Sequence, residues 1–344
     1  MAMNQLTQGP LLAAAIPIVS AVLCAALIVV LRPWLVRYAL ARPNARSSHT
    51  VPTPQGGGIA IIAATVVVVA LAELATQPLA GLSTMGVVLT AAVFLAVTGA
   101  IDDLRPISVL PRLVLQVAAA AMVLAVLPAE LRVVPWLPYG LERTLLLVAI
   151  LWFVNLVNFM DGLDWMTVAE MLPVTVALAA FGFAGAIPSD SLTVALALAG
   201  ALIGFAPFNR PVARLFMGDV GSLPIGLLVA WCLILLAGHG HLAAALLLPL
   251  YYLVDATTTL ILRLRRGEKV WVAHRTHFYQ RATDNGFAVI EVVGEVFALN
   301  VGLAILAAAA IALHSAAANL LLLAVGAAAA ALLLRRFSRP RPHR

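Results

Sequence analysis

Five aspartates in an otherwise apolar chain are the residues best suited to chemistry. They fall in three short segments: Asp102 and Asp103, then Asp161 and Asp164, then Asp219. Carboxylate oxygens are hard ligands that suit Mg²⁺, and phosphate chemistry needs such a cation to neutralise charge. The first pair, taken alone, also fits a polar helix end with an arginine neighbour. Adjacent carboxylates repel each other unless positive charge is near, so the three segments together favour a cation site.

The second segment adds amide oxygens to its two carboxylates. In a helix, residues three positions apart share a face, which brings Asn158 and Asp161 together. Gly162 permits a sharp exit from that helix. A helix end capped through local side-chain bonds would use the same residue types. Two Asn and two Asp between positions 155 and 164 exceed what a cap needs, so we expect this segment to supply oxygen ligands.

The third segment combines arginines, glycines and an aspartate. Arg210 and Arg214 could bind phosphate oxygens, and Gly218 and Gly221 allow backbone N–H groups to approach an anion at a helix start. Asp219 alone would oppose anion binding, and a metal ion that bridges it to a pyrophosphate removes the conflict. A solvated arginine loop with turn glycines explains the segment equally well if it stands alone.

A fourth polar segment contains His274, Arg275 and His277. Two histidines three positions apart could bind Zn²⁺ or phosphate, although such a pair is often only a packed or solvated feature. No cysteine lies near, and the carboxylates elsewhere resemble magnesium ligands, so zinc is disfavoured. Histidines and an arginine together suit diphosphate recognition better.

The elements that must position these residues are membrane helices. The chain has 344 residues, of which 63% are hydrophobic and only 10% charged, against about 25% charged in soluble domains. We therefore predict an all-α, polytopic transmembrane bundle that forms a single domain over residues 1–344. Cys24 and Cys232 lie singly in apolar runs and do not form a metal or disulfide pair. Eleven candidate spans run near 11–31, 57–75, 85–101, 111–128, 144–159, 166–186, 190–207, 221–238, 242–262, 288–313 and 316–334.

The basic residues predict the orientation. With the N-terminus outside, all 21 lysine and arginine residues except Arg132 and Arg143 fall in cytoplasmic segments. The C-terminus is then cytoplasmic and ends in a basic tail, 335–344, for which anionic lipid is the expected partner. The net charge of +6 is thus a signal of topology, and no nucleic acid partner is predicted.

Two other function classes remain open at this stage. A transporter fits the many spans, and Asp255, Glu291 and Glu295 lie within or beside spans. Transporters place their charges near the bilayer midplane in repeated, broken helices, whereas the clustered aspartates lie at predicted cytoplasmic span ends and no repeat is evident. A structural scaffold leaves the aspartates unexplained.

Five ordered motifs resemble those of one enzyme family. The stretches PNARSSHTVPTPQGGG, IDDLRPIS, NLVNFMDGLD, NRPVARLFMGDVGS and HRTHFYQR occur in the family's order from Pro43 to Arg281. The chain is thereby similar to the polyprenyl-phosphate N-acetylhexosamine-1-phosphate transferases, glycosyltransferase family 4. The form of the last motif resembles the O-antigen and lipopolysaccharide branch.

The resemblance implies the reaction. A polyprenyl (undecaprenyl) phosphate attacks the β-phosphate of a UDP-N-acetylhexosamine, UMP leaves, and a lipid-pyrophosphate-sugar that initiates a cell-surface glycan remains. The implied cofactor is Mg²⁺, with Mn²⁺ as a substitute. The implied location is the bacterial inner membrane with the active site on the cytoplasmic face, and a homodimer is compatible with the family.

The resemblance also assigns roles to residues. Asp219 and Asn158 would hold the metal, and the catalytic carboxylates would be Asp102, Asp103 and Asp161. Asp164 and Phe216 would hold the uracil, with Phe216 stacking on the ring. The remaining substrate-binding residues would be Arg214, His274, Arg275 and His277.

Two positions depart from the family pattern. Trp165 stands where the DG-x-DG motif has its second glycine, and a lysine found in some members near the first motif is missing. Lys269 is the single lysine of the chain, so Arg46 or His49 would have to serve.

Overall fold

A computed structural model describes residues 2–41, 52–76, 84–272 and 274–341. The described chain is almost entirely helical, as the composition predicts. Its helices are α1 (Ala2–Tyr38), α2 (Gly57–Thr76), α3 (Thr84–Leu104), α4 (Val109–Ala125), α5 (Tyr139–Met160), α6 (Met166–Phe183), α7 (Ser189–Phe205), α8 (Asp219–Leu236), α9 (Leu242–Leu247), α10 (Leu250–Arg265), α11 (Phe278–Asp284), α12 (Val289–Leu313) and α13 (Ala316–Phe337). A two-residue antiparallel ladder joins β1 (Leu40–Ala41) to β2 (Thr53–Pro54).

Helix α8 is the centre of the bundle. Every residue from Val220 to Leu236 is buried, and the helix packs against α2, α3, α5 and α7. A helix that is apolar on all sides must be surrounded by other helices or by lipid. In the outer helices α1, α12 and α13, by contrast, fewer than a third of the residues are buried inside the bundle, which leaves an apolar surface that a bilayer would cover.

Eight helical segments of the described chain are long and apolar enough to cross a membrane. Helices α4 and α7 are apolar but have 17 residues each. The predicted boundary between the spans 221–238 and 242–262 coincides with a break, because α8 passes through a π-helical turn, Ala237–His241, in which Gly240 has φ +91°. The number of eleven spans remains a prediction.

Both ends of the bundle have polar residues of distinct kinds. The three aspartate segments lie at the C-terminal ends of α3 and α5 and the N-terminal end of α8, all at one end. The two basic residues assigned outside lie at the opposite end: Arg132 is in the connection between α4 and α5 and pairs with Glu142, and Arg143 is near the start of α5. This separation agrees with the predicted orientation.

The C-terminal segment folds back onto α11 and α12. Arg336 pairs with Glu295 and Arg341 with Glu291. The side chain of Asn285, just after α11, donates to the Phe337 carbonyl at 2.7 Å, and the Arg341 amide donates to the Asn285 carbonyl at 3.0 Å. The tail is therefore fastened to the protein along part of its length.

Candidate active site

Glycines bring α2, α3 and α8 into backbone contact where the aspartates cluster. A Cβ atom at Gly58 would lie 2.3 Å from the Gly221 Cα, and one at Gly99 would lie 2.3 Å from the Asp219 carbonyl oxygen. Atoms cannot approach so closely, so any larger residue at these positions would push the helices apart. The close approach places Asp103, near the end of α3, directly at the start of α8.

Asp103 caps α8 from a different helix. Its two carboxylate oxygens accept hydrogen bonds from the backbone N–H groups of Asp219 at 2.9 Å and Val220 at 3.1 Å. The first amides of a helix have no partner within the helix, and a negative charge there is favourable. The side chain of Gln55, from the glycine-rich loop, also donates to Asp103. This predicted catalytic carboxylate therefore holds the site together.

Asp102 has a separate set of partners. It accepts hydrogen bonds from the Ile107 backbone N–H at 2.6 Å and from the Arg112 guanidinium at 3.1 Å. The arginine partly neutralises this carboxylate and fixes the turn that leads into α4. The arginine therefore offsets part of the repulsion between the two adjacent aspartates.

Asp219 and Asn158, the predicted metal ligands, are in direct contact. The Asn158 amide donates to the Asp219 carboxylate at 2.7 Å and to the Ser222 hydroxyl at 3.0 Å. The Asp219 carboxyl also interacts with the charges of Asp103 and Asp102. The sequence prediction that three separate segments meet at one place is therefore confirmed for these residues.

Asp161 joins the same cluster from the end of α5. It accepts a hydrogen bond from the Thr167 hydroxyl at 2.5 Å. Burial, together with the charges of Asp103 and Asp164, raises the pKa of Asp161 to about 6 in spite of that bond. The carboxyl group can therefore change protonation state close to neutral pH.

The loop after α5 docks onto the arginine segment. Asp164 is buried and accepts a hydrogen bond from the Ala213 backbone N–H at 2.9 Å. The next residue, Trp165, has φ +63°, a left-handed conformation that glycine adopts without strain. Its indole N–H donates to the Ala206 carbonyl at 2.6 Å, and its backbone N–H donates to the Asn209 side chain at 2.7 Å. At this position the tryptophan accepts backbone strain and gains the indole hydrogen bond, which a glycine could not make.

Phe216 and Arg214 have different surroundings in this segment. The Phe216 backbone pairs with the glycine-rich loop, donating to the Pro54 carbonyl at 2.8 Å and accepting from Gly57 at 2.8 Å. Its ring is half-buried. Arg214 is exposed and lines a cavity of about 940 Å³ together with Arg210, Asp164 and Trp165. Phe216 is not among the residues that line this cavity.

The histidine segment lines a second cavity, of about 490 Å³. His274 and His277 lie at one part of it with Asn158 and Arg112, and the walls include Leu113, Val148, Leu151 and Trp152. Burial, the charge of His277 and that of Arg263 lower the pKa of His274 to about 4, so this ring is neutral at physiological pH. Arg275 points away from the cavity and pairs with Asp284 at 3.2 Å.

The two cavities are linked through the aspartate cluster. Asn158 lines the smaller cavity and contacts Asp219, while Asp164 lines the larger cavity and its charge acts on Asp161. The structure thus assembles most predicted site residues around one centre. Arg275 faces α11 instead, and Arg46 and His49, the predicted substitutes for the missing lysine, lie outside the described residues.

The donor set fits a magnesium ion that binds together with substrate. No group of three His, Cys, Asp or Glu side chains within the described ranges is arranged to hold a metal by itself. Magnesium usually binds through one or two carboxylates, with water and substrate phosphates completing the shell. In the part of the chain that is described, no arginine, lysine or histidine pairs with Asp103, Asp161 or Asp219. A divalent cation would offset this excess of negative charge.

Sequence reasoning missed several residues of the site. Gln55 and Arg112 hold Asp103 and Asp102, and Asn209 connects Trp165 to the Leu215 carbonyl. Gln55 and Asn209 lie within two of the five sequence motifs, so their positions in the sequence could have identified them as site residues. Glu170 is fully buried in α6 and bonds to Asn300 of α12 at 2.5 Å, and its isolation in an apolar run was the only sign of it.

Comparison with known proteins finds a likeness to one family. The model of the family described as Glycosyl transferase family 4 matches residues 85–237, which include all five aspartates. Over this stretch the chain is similar to glycosyl transferase family 4. The match ends before the histidine segment, so this likeness does not depend on His274 or His277.

Named relatives agree with the predicted enzyme class. The chain is 29% identical over 290 residues to the decaprenyl-phosphate N-acetylglucosaminephosphotransferase of Mycobacterium leprae, covering 74% of this chain and 72% of the relative. It is 24% identical over 278 residues to the probable undecaprenyl-phosphate N-acetylglucosaminyl 1-phosphate transferase of Bacillus subtilis, covering 76% of each. A shorter match, 36% over 103 residues, joins it to the phospho-N-acetylmuramoyl-pentapeptide-transferase of Chlamydia muridarum, covering 29% of this chain and 31% of that one.

The alternatives gain no support. Three acidic residues had favoured a transporter as the alternative function. In the structure, Glu291 and Glu295 pair with arginines of the tail, and Asp255 contacts the histidine segment. The relatives are named as transferases. The O-antigen branch remains a prediction, since none of these three names refers to it.

Proposed function

We propose that this chain transfers an N-acetylhexosamine 1-phosphate from a UDP-sugar to polyprenyl phosphate, giving polyprenyl-pyrophosphate-sugar and UMP. One observation carries the proposal: the aspartate cluster connects a cavity with apolar walls to a cavity lined by arginines. A lipid phosphate and a nucleotide diphosphate need these two environments. The names of the relatives add the substrate classes.

The acceptor suits the cavity of about 490 Å³. Its apolar walls, among them Leu151 and Trp152, match isoprene units, and Asn158 and His277 mark its polar part. Packing isoprene units against apolar side chains costs little free energy, whereas a phosphate needs hydrogen-bond donors at a fixed position. We expect the acceptor phosphate to lie next to Asn158, within reach of the aspartate cluster.

The donor suits the cavity of about 940 Å³. Arg210 and Arg214 supply positive charge for a diphosphate, and Trp165 supplies an aromatic face at the rim. Asp164 links this cavity to the loop that carries Asp161. We expect the nucleotide to bind here, with Asp164 near the base as the family resemblance implies. Phe216, the other residue assigned to the base by that resemblance, lies outside the lining of this cavity.

Asp219 and Asn158 are the residues that would hold magnesium, with Asp102 or Asp103 nearby. When bound, the ion offsets the charge of the diphosphate and the developing charge on the leaving UMP. Asp103 keeps Asp219 at its position through the start of α8. Asp161, whose pKa is about 6, is well suited to accept or return a proton on a phosphate oxygen during the transfer.

The setting proposed is the bacterial inner membrane, with the cluster on the cytoplasmic face where nucleotide sugars are made. The exposed helices α1, α12 and α13 would face lipid. Anionic lipid remains the proposed partner of the tail arginines that are not paired, and a homodimer remains compatible with the exposed surfaces.

The test is release of UMP from purified protein. UDP-N-acetylglucosamine, UDP-N-acetylgalactosamine and related donors are each supplied with undecaprenyl phosphate and Mg²⁺. We expect UMP and a lipid-linked product with one donor or more, and no UMP when undecaprenol replaces its phosphate. Absence of UMP with every donor, from protein that is folded by thermal melting, would reject the proposal.

A further inference from the structure

Asp255 is a fully buried carboxylate near the start of α10 that receives five hydrogen bonds. Its 0% exposure makes an isolated charge costly, so the donors around it indicate what the group is for. The five donors are the Tyr251 hydroxyl at 3.1 Å, the Thr259 hydroxyl at 3.2 Å, the His277 Nδ1 at 3.3 Å and the backbone N–H groups of Phe278 at 3.0 Å and Tyr279 at 3.1 Å.

Three of these donors belong to the histidine segment. The Phe278 and Tyr279 amides are the first two of α11, and a carboxylate there is favourable because these amides lack partners within the helix. A short helix of 7 residues is thereby anchored to α10. Asp255 thus fixes where the histidine segment begins its helix.

The contact with His277 also decides which ring nitrogen carries a proton. An ionised carboxylate can only accept hydrogen bonds, so Nδ1 of His277 must be the donor. The nitrogen left for a ligand is Nε2. The ring is 2% exposed and lines the cavity of about 490 Å³ together with Asn158.

The neighbouring rings restrict His277 further. His274 packs against it with centroids 4.7 Å apart, and Tyr279 stacks on it at 5.8 Å. An imidazole that is held at Nδ1 and packed against two rings keeps one orientation. This arrangement resembles the carboxylate–histidine pairs that orient a functional imidazole in other proteins.

We propose that Asp255 is a positioning residue: it fixes the tautomer and direction of His277 so that Nε2 contacts the phosphate of the polyprenyl acceptor. The inference rests on the proposed function for the identity of the acceptor. A helix cap alone would need only the two backbone bonds. The bond to the ring of a residue that lines the cavity is what extends the role of Asp255 from folding to the site.

The first experiment measures the tautomer directly. Protein labelled with ¹⁵N-histidine is examined by NMR, with the His277 signals assigned from the His277→Asn variant. We expect a protonated Nδ1 in the parent and a smaller share of that state in Asp255→Asn, whose amide can either accept from Nδ1 or donate to it. Thr259→Val is the matched control, because it removes another donor to the same Asp255 oxygen without touching the histidine. An unchanged tautomer in Asp255→Asn would overturn the proposal.

The second experiment tests the phosphate contact without needing turnover. Undecaprenyl phosphate is titrated into the labelled protein, and undecaprenol serves as the ligand that lacks phosphate. We expect the Nε2 signal of His277 to shift with the phosphate and not with the alcohol. Equal shifts with both lipids, or none, would overturn the contact. This result is independent of UMP release, so failure of the proposed reaction and failure of the positioning role can be told apart.

The third experiment asks whether Asp255 acts through His277. We expect Asp255→Asn to lower kcat/KM for the acceptor by about 10- to 100-fold. In the His277→Asn background, which keeps a donor towards Asp255 but lacks Nε2, the same change should cost less than about twofold. Equal losses in both backgrounds would mean that Asp255 has only a structural role. Thermal melting of all four proteins reports whether each variant is folded.

Discussion

Asp103 accepts the backbone N–H of Asp219 at 2.9 Å, across 116 positions of sequence. One predicted catalytic carboxylate thereby positions the predicted metal ligand. The two functions that sequence patterns assign to separate motifs are physically joined, because the end of α3 caps the start of α8.

This cap predicts that Asp103 contributes to folding as well as to turnover. Asp103→Ala should destabilise the protein by about 1–2 kcal/mol, the cost of losing a helix cap, and should also abolish activity. Asp103→Asn keeps one acceptor oxygen and should melt between the parent and the alanine variant. Thermal melting in detergent is the measurement, and Glu130→Gln, an exposed acid at the opposite end, is the control. Equal stability of all four proteins would contradict the capping role.

Replacement of the predicted metal ligand should separate activity from folding. We expect Asp219→Asn to insert and purify normally, since the Asn158 contact can be kept, while turnover falls by at least about 100-fold because an amide neutralises less charge. The assay is UMP release over a range of Mg²⁺ concentrations. Activity that survives with the parent's dependence on Mg²⁺ would refute the assignment.

Asp161 should make stability depend on pH in a defined direction. Its pKa is raised from 3.8 to about 6, so between these values the folded state binds more protons than the unfolded state. Stability contributed by protonated Asp161 is therefore present at low pH and is lost as pH rises towards 6 and beyond. We expect the difference in Tm between Asp161→Asn and the parent to grow in favour of the variant from pH 4 to pH 7. A difference that is constant with pH would contradict the raised pKa.

At position 165 we expect glycine to be less destabilising than alanine, although glycine is the poorer helix former and α6 begins at the next residue. Both replacements remove the indole contacts, but only glycine relieves the φ of +63°, which costs other residues about 1–2 kcal/mol. Trp165→Gly should thus melt above Trp165→Ala. We also predict altered relative kcat/KM across several UDP-N-acetylhexosamines and two lipid lengths in Trp165→Gly. Unchanged ratios would leave Trp165 with a role in the loop backbone only.

The orientation is tested by a reporter at the C-terminus. Because all basic residues except Arg132 and Arg143 fall on one side under the predicted topology, a cytoplasmic reporter fused after Arg344 should be active. A reporter after Arg132, in the connection between α4 and α5, should be active only outside. The opposite pattern would invert the topology.

The fold class and the convergence of the aspartates could be predicted because both follow from composition. A chain with 10% charged residues must fold in lipid, and acids that remain in it must share a protected site. The partners of Asp103 could not be predicted, because its oxygens bind backbone amides of α8, which leave no mark on side-chain patterns. The contact of Asp255 with His277 was equally hidden, since it depends on how α10 faces the loop 22 residues later.

The left-handed backbone at Trp165 could be predicted from the sequence only in part. The family pattern marked the position as unusual, and the conformation explains why glycine is common there. Sequence could not reveal that the indole would bond to the Ala206 carbonyl, because that partner belongs to the end of α7. Local motifs thus predicted most of the residues that lie together, while contacts between distant helices determine the partners of each.

The fastened C-terminal segment has a practical consequence for handling the enzyme. Asn285 and Arg341 join the tail to the end of α11, and α11 begins at the residue after His277. A load applied to the tail, such as an affinity tag bound to a resin or a bulky fluorescent protein, would therefore be transmitted through one short helix to the cavity. Tags at the N-terminus should leave turnover intact where C-terminal ones slow it.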